Sequence, residues 1–118
     1  MHFTGIVEKG NGAGAKLGFP TANIPLNDPA YSGIYAGVVE YEGKSYPAAI
    51  YADQRRNLVE AHLLDFSEDL YGKRITVILE EKLREDATFG DIESLIRQID
   101  EDVRNTRSFF ARRAPVDN

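Results

Sequence analysis

The chain of 118 residues carries 14 Lys and Arg against 19 Asp and Glu, a net charge of −5, with 42% hydrophobic and 28% charged residues. That is the size and composition of one globular domain, and the acidic balance argues against nucleic acid as a partner, which needs a basic surface. With no Cys and only His2 and His62, a disulfide frame and a Cys-based zinc site are excluded and a dedicated transition-metal centre is not expected; cations that take oxygen ligands stay open.

In chain order, Met1 to Lys9 has neither the apolar core nor the cleavage site of a secretory leader, and no apolar run anywhere approaches the ~20 residues that span a bilayer. A cytoplasmic location with no membrane partner is expected. Residues 3–9, with Phe3, Ile6 and Val7, read as a first strand. Gly10 to Gly18 is a loop, with Gly at 10, 12, 14 and 18. Pro20, Pro25 and Pro29 then argue against regular helix over 20–32. Residues 33–42 and 45–51 are strand-like runs, and Glu42-Gly43-Lys44 between them is a hairpin signal. Two more strands are expected at 58–66 and 74–81, joined through a turn at Asp69-Leu70-Tyr71-Gly72.

The period then changes. Ile92, Leu95, Ile96, Ile99 and Val103 recur at helical spacing, which predicts a helix of about 16 residues. Asp91 is its expected N-cap, and Arg104 and Arg107 are expected near its C-terminal end, where positive charge suits the helix dipole. Residues 1–113 thus form a single mainly β domain, an antiparallel meander that can close into a small barrel with the helix outside. Residues 114–118 are expected to be a disordered tail.

Three segments carry chemistry. In the loop 10–18, glycines let backbone N–H groups turn toward an anion and approach it closely. It lacks the Gly-Lys-Ser/Thr ending of a P-loop, and prolines follow where a dinucleotide-binding helix would start. A plain hairpin loop is the alternative. In Phe19-Pro20-Thr21-Ala22-Asn23, the Thr hydroxyl and Asn amide oxygen project to one side of an extended backbone, both hard oxygen ligands suited to Mg²⁺ on nucleotide phosphates. A Pro-Thr turn with local hydrogen bonds would explain the same residues. In Leu58 to Phe66, strand alternation puts Val59, Ala61 and Leu63 on one face and Glu60 and His62 on the other with Leu58 and Leu64. A carboxylate among apolar neighbours is a candidate general base, because partial burial raises its pKa toward a working range. A solvated outer-face Glu is the plainer reading, and His62 reads as structural.

Taken together and in order, Gly5-Ile-Val7, the glycine loop, Leu17-Gly-Phe-Pro-Thr-Ala-Asn-Ile24, Ser32-Gly-Ile-Tyr-Ala36, Val59-Glu-Ala-His-Leu-Leu-Asp-Phe66, Asp69-Leu-Tyr-Gly72, Leu83-Arg84 and Phe89 resemble the riboflavin kinase family. They also resemble the C-terminal half of bifunctional bacterial riboflavin kinase/FAD synthetases. The resemblance runs from Phe3 to Val103 and implies a six-stranded antiparallel Greek-key barrel with a C-terminal α-helix. It implies transfer of the ATP γ-phosphate to riboflavin, giving FMN and ADP, with Mg²⁺ or another divalent cation as cofactor. A monomer is expected as the working unit. It implies nucleotide contacts from Gly10, Gly12, Gly14, Lys16, Gly18, Pro20, Thr21 and Asn23, with Thr21 and Asn23 also on the metal, Glu60 as the base, and Leu83, Arg84, Asp86 and Phe89 at the flavin. Tyr51, Tyr71 and Phe89 are candidates for stacking on the ring.

Several positions depart from the family's pattern. Ala15 stands where a basic residue is usual two positions before Leu-Gly, and Asp86 stands where Glu is frequent. The loop Tyr51-Ala-Asp-Gln-Arg-Arg-Asn57 is shorter than usual and lacks a Gly-x-x-Pro-Thr segment. Arg55 and Arg56 within it are read as solvated charges, with anion contacts as the alternative. These departures motivate a second reading, a flavin- or nucleotide-binding module of the same fold without kinase activity. Nothing in the chain resembles a nucleotidyl transferase, so FAD synthesis is not expected of it.

Overall fold

A computed structural model describes residues 1–9, 15 and 18–113. Six strands run in order: β1 (His2–Ile6), β2 (Ala22–Pro25), β3 (Gly33–Tyr41), β4 (Lys44–Asp53), β5 (Leu58–Leu63) and β6 (Arg74–Arg84), followed by one helix, α1 (Ile92–Arg113). All pairings are antiparallel, in the spatial order β1-β6-β3-β4-β5-β2. Strands β3, β4 and β5 are successive neighbours, and β6 returns to lie beside β3, which is a Greek key. The sheet curls until its two ends meet through the Glu8–Asn23 bridge, where the Glu8 N–H donates to the Asn23 carbonyl at 2.7 Å. The result is a nearly closed six-stranded barrel with one C-terminal helix.

Alternation builds the interior. On β5, Val59, Ala61 and Leu63 are buried while Leu58, Glu60 and His62 are half-buried on the outer face. Ile24, Val39, Ala48, Ile50, Ile75 and Val77 complete the inner cluster. The β3–β4 hairpin turns at Glu42 and Gly43, whose φ values of 49° and 77° are both positive, as the tightest hairpin turns require. The turn before β6 is held by the Tyr71 N–H on the Asp69 carboxylate at 2.9 Å, with Gly72 at φ 79°.

Gly37 lies at a register irregularity between β3 and β6, where the two backbones come very close. A Cβ there would overlap the Ile78 carbonyl oxygen and sit 2.6 Å from Ile50 Cδ1. Neither backbone nor buried Ile50 can yield cheaply. Gly37→Ala is therefore expected to destabilise by about 1–3 kcal/mol, read as a lower urea midpoint at unchanged slope. An unchanged midpoint would show that the β3–β6 contact can relax.

The prolines argue correctly against helix over 20–32; the short strand β2 within that stretch is not anticipated by the sequence pattern, and a sheet edge tolerates Pro25 at its end. One sequence expectation, the length of the helix, needs correction. The helix has 22 residues rather than about 16. Past Val103 its inward positions are filled by Thr106, fully buried with its hydroxyl donating to the Asp102 carbonyl at 2.8 Å, and by Phe109. Because Thr106 is polar by composition, the apolar period breaks there although the helix does not. Arg104 and Arg107 are accordingly mid-helix, pairing with Asp100 and Asp65, and Arg112 and Arg113 occupy the last turn. Asp91 caps the start as expected, accepting from the Ser94 N–H at 2.7 Å. Residues 114–118 lie outside those described.

Candidate active site

One row of side chains crosses the outer face of the sheet. The register pairs Asn23 with Glu60, Glu60 with Tyr51, Tyr51 with Ile34, and Ile34 with Arg84. Directly paired residues share a face, and neighbouring strands lie about 4.8 Å apart. Along the sheet, the four steps from Asn23 to Arg84 therefore span on the order of 19 Å.

At one end of the row, Thr21 and Asn23 form an oxygen pair. The Thr21 hydroxyl donates to Asn23 Oδ1 at 3.1 Å, and Asn23 is buried. The residues just before them are held by His62, whose Nδ1–H donates to the Pro20 carbonyl at 2.7 Å while its ring meets Phe19 edge-on. Thr21, Asn23, Pro20 and Ala15 line an open cavity of about 580 Å³, together with Tyr71 and the segment 66–70. The two oxygens suit a small hard cation. Adjacent ligands of an octahedral ion with ~2.1 Å bonds lie about 3 Å apart, close to the Thr21–Asn23 separation. Both are neutral, which fits a metal whose charge is met by phosphates rather than by a cage of carboxylates. Gly18 has φ 90°, a conformation that favours glycine, and the Cβ position there is open space. Gly10, Gly12, Gly14 and Lys16 lie outside the described residues.

Glu60 sits next in the row. Its side chain is 17% exposed and its Oε2 accepts from Arg56 Nη2 at 2.6 Å. Burial pushes its carboxyl above the usual range, and the neighbouring Asp53 charge pushes the same way; Arg56 pulls against both without cancelling them. Arg56 is itself anchored, its Nε donating to the buried Asp53 carboxylate at 2.6 Å. Reading Arg56 as a solvated charge is thus corrected, because its guanidinium bridges two acids. Arg55 does remain mostly in solvent, with one screened contact to Asp86.

Beyond Glu60, the Tyr51 hydroxyl donates to Asp86 Oδ2 at 2.8 Å, joining β4 to the segment after β6. Burial is the main cause of its raised phenol pKa. Arg84 closes the row. Its Nε and Nη2 make a two-pronged contact with Asp102 of α1, each at 2.8 Å, and its guanidinium lies 5.9 Å from the centre of the Phe89 ring. Leu83 is half-buried beside it. Of the three stacking candidates, Tyr51 and Phe89 lie at this end of the row, whereas exposed Tyr71 lines the cavity at the other. Sequence reasoning missed the Asp53–Arg56 anchor and the Arg84–Asp102 pair. The first had a trace in the sequence, an acid three residues before an arginine; the second had none.

The family model, the curated relatives and one solved structure point to the same family. The family model for riboflavin kinase (Flavokinase) matches residues 1–110. A bifunctional riboflavin kinase/FMN adenylyltransferase from Pseudomonas fluorescens is 36% identical over 121 residues, covering 94% of this chain and 39% of that protein. This chain therefore spans about two-fifths of the length of the curated relatives it matches. Among solved structures, riboflavin kinase from Trypanosoma brucei superposes with a TM-score of 0.67 at 29% identity, covering 93% of this chain and 79% of that one. A Streptococcus pneumoniae structure described as a macrolide-efflux protein superposes with a TM-score of 0.76, also at 29% identity, covering 90% of this chain and 38% of that one. Among the described residues, no helix is long and apolar enough to cross a membrane.

Proposed function

The chain belongs to the riboflavin kinase family, and from that premise we propose that it transfers the γ-phosphate of ATP to the 5′-hydroxyl of riboflavin. The observation that carries this reading is the single row from Asn23 through Glu60 to Arg84. It supplies, in linear order, an oxygen pair for a phosphate-bound cation, a half-buried carboxylate, and a Tyr51–Asp86–Arg84–Phe89 end for a flat ring. A ribityl chain is the right kind of spacer between such ends, because its terminal hydroxyl would reach the carboxylate while the ring would lie farther along the sheet.

In this mechanism Glu60 accepts the proton of the 5′-hydroxyl as that oxygen bonds to the γ-phosphorus. The bond from the γ-phosphorus to the β–γ bridging oxygen breaks, and the electron pair leaves on ADP. Little covalent chemistry is asked of the protein, which positions the groups and offsets charge. Thr21 and Asn23 would hold Mg²⁺, which when bound neutralises charge on the β- and γ-phosphates. Pro20, Gly18 and the glycines at 10, 12 and 14 with Lys16 would cover the nucleotide, and Leu83, Arg84, Asp86 and Phe89 would meet the flavin. Because one chain supplies the whole row, the reading has the enzyme act as a monomer, in the cytoplasm where ATP is available, with no nucleic acid or membrane as partner.

Incubation with riboflavin, ATP and Mg²⁺, followed by chromatography, is expected to yield FMN and ADP in equal amounts, and none without a divalent cation. Binding of riboflavin or FMN without any ATP consumption would instead identify a flavin-binding module of this fold.

A further inference from the structure

We infer that Arg56, anchored by Asp53, is a positioning residue that holds the Glu60 carboxylate in its reactive place. The inference rests on the proposed kinase reading for its consequence, and on the geometry of the β4–β5 turn for its substance. That turn is folded around one buried side chain. Asp53 Oδ1 accepts the backbone N–H groups of Arg55 at 3.1 Å and Arg56 at 3.4 Å, and Asp53 is 3% exposed. Its second oxygen takes Arg56 Nε at 2.6 Å, which fixes the plane of the guanidinium before Glu60 is met. The Nη2 group then reaches Glu60 Oε2 at 2.6 Å.

A lone arginine on a surface glutamate contributes little, because two long side chains must be ordered for one screened contact. Here the ordering is shared. Asp53 holds Arg56 through its own strand end and two backbone groups, so Arg56 meets Glu60 with much of its freedom already lost. The contact occupies Oε2 and leaves Oε1 for an acceptor hydroxyl. Such control matters at a base, since misplacement by about 1 Å can cost on the order of 10²-fold in rate. Arg56 bonds Asp53 Oδ2 through Nε and Glu60 Oε2 through Nη2 in one fixed fork, which the point-like ammonium of Lys reproduces only in part.

The test compares Arg56→Met and Arg56→Lys, each alone and combined with Glu60→Gln, in steady-state FMN formation. Arg56→Met is expected to lower kcat about 10- to 100-fold with KM for riboflavin and ATP changed less than about 3-fold. Arg56→Lys should recover part of that loss. In the Glu60→Gln background, Arg56→Met should cost less than about 3-fold, because there is no base left to position. An equal loss in both backgrounds, or a loss confined to KM for ATP, would overturn the inference and make Arg56 a structural or phosphate-binding residue. A crystal structure of Arg56→Met without substrate decides the geometry independently of activity: the Glu60 carboxylate should leave the position it holds here, and an unmoved carboxylate would sink the inference. If the wild-type protein makes no FMN, the kinase reading fails by itself while the crystallographic arm still tests Arg56.

Discussion

Replacing Glu60 with glutamine is expected to lower turnover by about 10²-fold or more, equivalent to roughly 2.7 kcal/mol or more of lost transition-state stabilisation. The substitution is chosen because it changes little else. Gln keeps the length and shape of Glu, its amide oxygen can still accept from Arg56 Nη2, and the backbone pairing of residue 60 with Asn23 and Tyr51 is unaffected. What it removes is the capacity to take a proton. The environment of Glu60 favours that capacity: burial, with the Asp53 charge, raises its carboxyl pKa against the pull of Arg56, so its proton affinity is above that of a free carboxylate. The variant should unfold at close to the wild-type temperature and bind Mg²⁺-ADP with unchanged affinity by titration calorimetry. Turnover near the wild-type rate would mean that the hydroxyl proton goes elsewhere and that Glu60 only lines the row.

The parts of this fold that were legible in the sequence are those set by local rules. Alternation in Leu58 to Leu63 separated Val59, Ala61 and Leu63 from Glu60 and His62 on opposite faces, and burial makes the first set the inner one. Glu42-Gly43-Lys44 announced its hairpin through a glycine in a short connection between two strand-like runs, and Gly43 takes the positive φ that glycine adopts at no steric cost. The expected same-side projection of Thr21 and Asn23 is matched by their hydrogen bond. What stayed hidden depends on partners distant in sequence. Strand β2 is four residues long and exists because β5 and the Glu8 bridge pair with it, not because Ala-Asn-Ile-Pro favours a strand. Thr106 looks like a surface residue until the barrel wall covers it. Arg55 and Arg56 are adjacent and chemically identical, yet one lies in solvent and the other is clamped between two acids; only the turn around Asp53 distinguishes them.

The hidden contact with the greatest expected effect on stability is the one between Arg84 and Asp102, 18 residues apart and on different elements. Asp102→Ala is expected to destabilise the protein by about 3 kcal/mol, lowering the melting temperature by roughly 10–15 °C for a domain near this size. Asp102 is 4% exposed, and its carboxylate takes Arg84 Nε and Nη2 at 2.8 Å each and Gln98 Nε2 at 3.0 Å. Truncation would leave the Arg84 guanidinium, 23% exposed by its side chain, without its counter-charge and too enclosed for water to restore it fully. The residual exposure is why the lower end of the usual range for breaking a buried pair applies. The loss belongs to the unpaired charge rather than to any large net gain from the pair, so Arg84→Met combined with Asp102→Leu should recover most of the melting temperature. The exposed Asp65–Arg107 pair provides the contrast on the same helix. It is also two-pronged, through Arg107 Nη1 and Nη2 at 3.0 Å each, but Asp65 stands largely in solvent, so Asp65→Asn should barely move the transition. If Asp102→Ala melted as the wild type does, the helix would be held to the barrel by its apolar contacts and its exposed ion pairs, with nothing owed to Asp102. The Arg84 end of the row would then owe nothing to this contact with α1, since Arg84 reaches the helix through this carboxylate.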